Sequence, residues 1–302
     1  MTKKLGFIGI GRMGAPMARR LIAAGYSVTV FDPSADAIAE LVKAGAQAAS
    51  NPAEVGSAAE IVLLSLPTPE IVKDAALGAN GLTTSAGLRI VIDLSTTGPR
   101  GAKALAEGLA AHGVGTVDCP VSGGVAGAAA GKLSLMAACA PELFAEVEPI
   151  LLNFGKITHV GNEPGQAQLI KVINNLMSVT ALAIASEGLV LAQKAGIDPA
   201  MLMQVVNTGS GRSNASEDKI PKYVLTRSFD FGFALGLSAK DVRLCLDEAE
   251  ALGVPMIVGS AARQLLTVAK GQLGADGDLT ALIKPIEDWA GVEVGDGFGS
   301  KA

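Results

Sequence analysis

Histidine and cysteine are scarce: the 302-residue chain holds 2 His and 3 Cys. His112 and His159 stand alone, without the spacing of metal ligands or of a Ser-His-Asp or Cys-His nucleophile, so no metal is expected. His112 reads as the end of a helix. Cys119, Cys139 and Cys245 are odd in number and scattered, which argues against a disulfide framework and for reduced thiols in a cytoplasmic protein. Charge is also sparse, at 18% against 49% apolar residues. That balance supports a large core and argues against disorder. A formal net charge of −5 argues against nucleic acid or an anionic membrane as partner. A local basic pocket for a small anion remains compatible with it. Internal repeats and low-complexity linkers are absent. The most membrane-like stretch, Val172 to Ala192, carries Asn174, Asn175 and Glu187 and reads as a buried helix rather than a span. Met1-Thr2-Lys3-Lys4 only faintly mimics a signal peptide, because Gly6, Gly9, Gly11 and Arg12 break the apolar run that follows.

What is present begins at once. Leu5, Phe7 and Ile8 lead into Gly9-Ile10-Gly11-Arg12-Met13-Gly14. An amphipathic segment follows, with Met13, Met17 and Leu21 spaced by four, and then Val28-Thr29-Val30-Phe31 ending on Asp32. Strand, glycine turn, helix, strand and acid in this order predict a dinucleotide-binding βαβ unit. Gly9 suits the tight turn, Gly11 close approach of backbone to a pyrophosphate, and Gly14 close helix packing. Free N–H groups at the helix start face the phosphates. Asp32 can accept hydrogen bonds from both ribose hydroxyls and would repel a 2′-phosphate, which favours NAD and leaves NADP open.

Strand and helix patterns then alternate: Ala35–Ala44 helical, Ile61–Leu66 strand, Ile90–Leu94 strand, Gly101–His112 helical, and a strand beginning at Thr116-Val117-Asp118. Such alternation predicts an α/β Rossmann fold with a doubly wound, mostly parallel sheet. Gly11, Asp32, Leu66-Pro67 and Thr96 fall at carboxyl ends of strands, where such sheets bind ligands. The character changes around Gly161–Gly165. Gln166–Ala195 reads as one long apolar helix, followed by helical patterns at Ala200–Asn207, Lys219–Thr226, Ala239–Leu252, Val258–Lys270 and Leu279–Trp289. This predicts two domains: residues 1–163, binding NAD(P), and residues 164–302, all-α, joined by the long helix and serving substrate binding and self-association. The glycine-rich tail after Val294 is expected to be loose. Ser238 with Asp241 resembles a capping box for the helix at 239.

Three groups could carry chemistry. Lys171, Asn174, Asn175 and Ser178 share one helix face by their offsets of 3, 4 and 7. A partly buried lysine there could act as general acid or base, or the four could form a structural polar seam. Asp118-Cys119-Pro120-Val121-Ser122-Gly123-Gly124 ends a strand in a turn able to present a hydroxyl and amides to an anion, or is an ordinary turn. Lys240-Asp241 opens a helix, as part of a site or as a cap beside a solvated lysine.

Taken together, these segments resemble the β-hydroxyacid dehydrogenases, including 3-hydroxyisobutyrate dehydrogenase and tartronate semialdehyde reductase, relatives of 6-phosphogluconate dehydrogenase. The resemblance rests on Gly9 to Ala18, Asp118 to Gly124, Gly165 to Asn175, and Lys240-Asp241, spread over nearly the whole chain. It implies that Lys171 is the catalytic lysine and that Ser122, Gly123 and Gly124 bind a substrate carboxylate. By the same likeness Asn175 orients the substrate with help from Asn174. Lys240 contacts both cofactor and substrate with Asp241 in support, while Gly9, Ile10, Gly11, Arg12, Met13, Gly14, Asp32, Leu66, Pro67 and Thr96 contact the cofactor. The sequence departs from the family where Cys119 replaces Ala, Ala167 replaces Gly and Ala239 replaces His; none of these removes a proposed chemical group. The implied reaction is hydride transfer between a nicotinamide and a small anionic hydroxy acid or semialdehyde. Arg212, in the Gly209–Ser213 loop, could approach a second anionic group such as a sulfonate or a second carboxylate, or be solvated. Lys171 and Asp32 argue against the related imine reductases. A nucleotide-sensing module without catalysis is the alternative of a different class. The long apolar helix predicts a homodimer or homotetramer.

Overall fold

The computed structural model describes residues 3–295, so most of the glycine-rich tail lies outside the described residues. The chain divides into two compact units, Met1–Val172 and Ile173–Ala302.

The first unit is built on nine strands among the described residues. β1 (Lys4–Ile8), β2 (Ser27–Phe31), β3 (Gln47–Ala48), β4 (Ile61–Leu64), β5 (Ile90–Asp93) and β6 (Gly115–Asp118) form a parallel set in the order β3-β2-β1-β4-β5-β6. The crossovers are α1 (Gly14–Ala23), α2 (Ala35–Lys43), α3 (Pro52–Ala58), α4 (Pro69–Leu77) and α5 (Gly98–Ala110). Runs such as Ile61-Val62-Leu63-Leu64 are buried throughout because helices cover both faces of the sheet. One face packs Phe7, Val30, Leu63 and Ile92 with Met17 and Leu21; the other packs Ile8, Val62, Leu64 and Val91 with Val55, Val72 and Leu105. The strand order reverses between β1 and β4, which puts the ligand crevice at their carboxyl ends.

Beyond β6 the sheet is no longer purely parallel. β7 (Val121–Ser122) leads through α6 (Gly124–Ala130) to β8 (Leu133–Ala138), which runs antiparallel to both β6 and β7. α7 (Pro141–Leu151) then leads to β9 (Gly155–Gly161), parallel to β8. The sequence reading anticipated neither β8 nor β9. The helix expected at Gly101 starts earlier, at Gly98, with Pro99 in its first turn, where a missing N–H costs little.

α8 (Gln166–Lys194) is 29 residues long, and the division between the units falls inside it. Its first two turns belong with the sheet because Gln168 is tied there. Gln168 Oε1 accepts from the amides of Thr97 (2.9 Å) and Gly98 (3.1 Å) at the start of α5. Its Nε2 donates to Ser95 O (3.0 Å) and to Asp118 Oδ1 (2.9 Å). Asp118 Oδ2 accepts from the amides of Gly165 (2.8 Å) and Gln168 (3.3 Å). Asp93 Oδ1 accepts from Ser95 N at 3.0 Å. Gln168, Asp118 and Asp93 are all buried, so each of these bonds replaces water that cannot enter.

The second unit is helical: the rest of α8, then α9 (Pro199–Thr208), a π-helix over Ala215–Val224, α10 (Leu235–Ala251), α11 (Ile257–Leu273), a 3₁₀ turn over Leu279–Ile283, and α12 (Lys284–Ala290). The helix expected at Lys219–Thr226 is therefore of π type and begins earlier. The one expected at Leu279–Trp289 is split between the 3₁₀ turn and α12. The capping box expected at Ser238 and Asp241 is absent. α10 starts at Leu235, and the amides of Leu235 and Gly236 donate to the carbonyls of Gly277 (2.7 Å) and Ala275 (2.8 Å). Main chain already satisfies those donors, which leaves Ser238 and Asp241 buried in the helix body. α8 is long and apolar enough to cross a membrane by length and composition, and 44% of its most apolar window is buried. The expectation of a buried helix thus holds on one face, with Leu176, Val179, Leu182 and Leu189. Ile173, Met177, Ile184 and Leu191 form an exposed stripe at helical spacing.

Burial drives the Asp118 carboxyl up from 3.8 to about 6, against the pull of its N–H donors and with the Asp93 carboxylate adding to the rise. The folded state therefore holds this proton more tightly than the unfolded chain does. Its stabilising contribution is greatest below the unfolded value and is lost as pH rises through the folded one. Relative to Asp118→Asn, which cannot ionise, the wild type should lose about 3 kcal/mol of stability between pH ~4 and ~6. Urea unfolding of both proteins across that window measures the difference, and a constant difference would refute the assignment.

Candidate active site

In the first unit the glycine turn lies at the end of β1. Gly9 has φ +85°, and a Cβ there would come within 2.3 Å of the Ser65 carbonyl oxygen. A Cβ on Gly14 would lie 1.8 Å from the Gly9 carbonyl oxygen. Both positions are glycine for reasons internal to the protein. Gly11 is different, since a Cβ there would meet nothing within 4 Å. No protein neighbour demands glycine at 11, whereas a phosphate lying against the backbone would. Ile10 and Met17 are buried beneath the turn, and Met13 packs on the same core. Arg12 is exposed.

Asp32 follows β2 and braces this turn. Its Oδ2 accepts from Ile10 N and its Oδ1 from Ser34 N, both at 2.9 Å. Each oxygen keeps a second lone pair for a ribose hydroxyl. The neighbouring strand ends are tied together by Leu66 N, which donates to Ser95 Oγ at 2.9 Å. Leu66 and Thr96 are half-buried and Pro67 is exposed. Gly9 to Gly14, Asp32, Leu66-Pro67 and Thr96 thus lie at the carboxyl ends of β1, β2, β4 and β5. The open backbone at Gly11, the helix N-terminus behind it and the braced carboxylate at Asp32 fit a dinucleotide.

Ser122 ends β7 in register with Ser134 of β8 and is half-buried. Gly123 (φ +129°) and Gly124 (φ +66°) follow in backbone conformations that a side chain would strain, and they are exposed. Lys171 is buried, one helical turn past Gln168 on α8.

In the second unit, Asn174 Nδ2 donates to Asn175 Oδ1 at 3.3 Å, and Asn175 Nδ2 donates to Asp241 Oδ2 at 2.6 Å. Lys240 Nζ lies 3.1 Å from Asp241 Oδ1. That oxygen takes no well-directed hydrogen bond, so the contact is an ion pair held by charge. Asp241 is buried and joins the α8 amides to Lys240. Arg212 lies apart from this group on an exposed loop, 3.7 Å from Glu217 Oε1.

Other candidates have structural explanations. His159 Nε2 is 2.9 Å from Cys139 O, and its ring stacks on Phe144 at 4.5 Å between centroids. The three cysteines are buried and unbridged. Burial pushes the Cys119 thiol well above its usual range, Cys139 up to about 11, and Cys245 upward, so none is a ready thiolate.

Two residues escaped the sequence reading. Gln168 sits within the Gly165–Asn175 segment, one turn before Lys171, and its neutral amide drew no attention. Lys219 is 3% exposed, and nothing at Asp218-Lys219-Ile220 separates it from a surface lysine in sequence.

The glycines give a paired test. Gly14→Ala should lower Tm by at least ~4 °C, because the clash is with backbone. Gly11→Ala should leave Tm within about 1 °C yet raise the Kd for NAD(H) about tenfold. Calorimetry of both variants measures this, and unchanged cofactor affinity in Gly11→Ala would reject the phosphate reading.

Residues 4–161 match the model of the NAD binding domain of 6-phosphogluconate dehydrogenase, and residues 165–286 match that of the NAD-binding domain of NADP-dependent 3-hydroxyisobutyrate dehydrogenase. The chain is 36% identical over 298 residues to 2-(hydroxymethyl)glutarate dehydrogenase of Eubacterium barkeri, covering 97% of this chain and 98% of that one. It is 37% identical over 272 residues to 3-hydroxyisobutyrate dehydrogenase of Pseudomonas aeruginosa, covering 87% and 91%. Among solved structures, Mycobacterium tuberculosis 3-hydroxyisobutyrate dehydrogenase with L-serine superposes with TM-score 0.86 at 30% identity, covering 95% of this chain and 99% of that one. Psf3, solved with NADP+ and 2-OPP, superposes with TM-score 0.84 at 31% identity, covering 93% and 99%. A Rossmann-type sheet followed by a helical unit, with the two models matched one after the other, places the chain in the 3-hydroxyisobutyrate dehydrogenase-like family of β-hydroxyacid dehydrogenases, NAD(P)-dependent enzymes acting on CH–OH groups.

Proposed function

We propose that this enzyme interconverts a small β-hydroxy acid and its semialdehyde, with Lys171 as acid and base and NAD(H) as preferred cofactor. The observation that carries the reading is a buried lysine one turn beyond the Gln168 tie, on a helix fixed to the carboxyl ends of β5 and β6. The bound nicotinamide supplies a two-electron hydride acceptor or donor. Lys171 takes the hydroxyl proton during oxidation, as the carbonyl forms and the C–H bond breaks, and returns it during reduction. Ser122 and the amides of Gly123 and Gly124 hold the substrate carboxylate. Asn175, pinned by Asp241, orients the reacting carbon with Asn174 beside it, and Lys240 contacts substrate and cofactor. Orientation of this kind supplies much of a rate enhancement. Asp32 underlies the preference for NAD, because a 2′-phosphate would meet its carboxylate. The 3-hydroxyisobutyrate and 2-(hydroxymethyl)glutarate of the relatives' names set the size range of substrates to try. No observation favours the non-catalytic alternative, since Lys171, Asn175 and Ser122 are all present.

Self-association is part of the same proposal. Met177 (68% exposed), Ile184 (63%) and Leu191 (71%) form an apolar stripe that a second copy would cover.

Lys171→Met should lower kcat about a thousandfold on any accepted substrate while the Kd for NAD(H) stays within about twofold. Absorbance of the reduced nicotinamide, followed with NAD(H) and NADP(H) over a panel of β-hydroxy acids and semialdehydes, measures this. Near-normal turnover in the variant would sink the assignment. Sedimentation velocity should find at least two chains per particle, with Met177→Glu/Ile184→Glu shifted toward one; a wild-type monomer would refute the stripe's role.

A further inference from the structure

Lys219 is a buried ammonium with no carboxylate bonded to it among the described residues. Its hydrogen-bond partners among the described residues are neutral: Ser178 Oγ at 3.0 Å and the Asn214 side-chain oxygen. The Phe231 ring lies beneath it, 5.2 Å from ring centroid to Nζ. The nearest acid in sequence, Asp218, is committed to Lys222 at 2.5 Å. Buried lysines are rare unless paired with a counter-charge. Burial accordingly presses the Lys219 pKa down, with Asp218 offsetting only part of that.

Two features show that the arrangement is built. Asn214 and Lys219 are five residues apart at the start of a π-helix, and the i→i+5 repeat brings the pair together. π-helical segments are uncommon and cluster at functional sites. Ser178, in turn, belongs to the polar face of α8 that carries Lys171, Asn174 and Asn175. Lys219 therefore delivers its charge to the face of α8 that carries Asn174 and Asn175.

We propose that Lys219, with Ser178 and Asn214, is a subsite for a second anionic group on the substrate, a carboxylate or sulfonate distal to the reacting carbon. The proposal rests on Lys171 as the reaction's acid and base. A dicarboxylic β-hydroxy acid carries the second anion that such an ammonium would take, whereas 3-hydroxyisobutyrate leaves the ammonium without its anion. Exposed Arg212, already facing Glu217, is not needed for this role.

The test compares 2-(hydroxymethyl)glutarate with 3-hydroxyisobutyrate in the wild type, Lys219→Met and Lys219→Arg. Wild-type kcat/KM should favour the dianion about tenfold or more. Lys219→Met should abolish that preference through a raised KM for the dianion, with kcat/KM for the monoanion kept within about twofold. Lys219→Arg should restore it. Equal losses on both substrates in Lys219→Met, or a wild type without preference, would overturn the proposal. A binding measurement stands apart from turnover. Glutarate, which cannot be oxidised here, should raise wild-type Tm more than isobutyrate does, and the excess should vanish in Lys219→Met and Lys219→Gln. Glutarate stabilising all three proteins alike, or none, would also overturn it. A wild type that oxidises neither hydroxy acid yet shows the Lys219-dependent glutarate shift would instead refute the Lys171 reading and leave the subsite standing.

Discussion

One buried side-chain amide holds the first unit's functional parts in register. Gln168 accepts two amides from the start of α5, donates to the carbonyl after β5, and donates to Asp118 at the end of β6. An apolar residue there would leave at least four polar groups unpaired in the interior, at about 1–3 kcal/mol each. The amide is also the right chemistry: carboxylate oxygens would accept but could not donate, and an ammonium would do the reverse. Fixing Gln168 fixes the first turns of α8, on which Lys171 lies one turn further along.

Three acidic residues, two in the first unit and one in the second, share a pattern. Asp32 takes the Ile10 and Ser34 amides and so braces the glycine turn. Asp118 takes the Gly165 and Gln168 amides and so anchors α8. Asp241 takes the Asn175 amide and faces the Lys240 ammonium. Each carboxylate orients another group of the protein, so its first role in the fold is that of a strut.

The glycine turn and the strand–helix alternation were legible in the sequence because each follows a short-range rule: a glycine spacing, a hydrophobic period. What was not legible depends on distant chain. The antiparallel β8 and the edge strand β9 follow from pairing partners, since Leu133–Ala138 and Gly155–Gly161 are unremarkable alone. The start of α10 follows from carbonyls at 275 and 277, some forty residues away, which made a plausible capping box at Ser238 wrong. Gln168 and Lys219 were passed over for the same reason, their partners being unknown until the chain is folded. Arg212 drew attention by its charge and its loop, whereas the cation brought to the polar face of α8 is Lys219.

The π-helix over Ala215–Val224 has a consequence for how this sequence can change. Deleting a single residue from it would let ordinary α-helical bonding resume. The i→i+5 alignment of Asn214 with Lys219 would then be lost, and the ammonium would swing to another face. The Lys219 bond to Ser178 would be lost with it. Length between Asn214 and Val224, rather than residue identity alone, thus decides where the Lys219 ammonium lies.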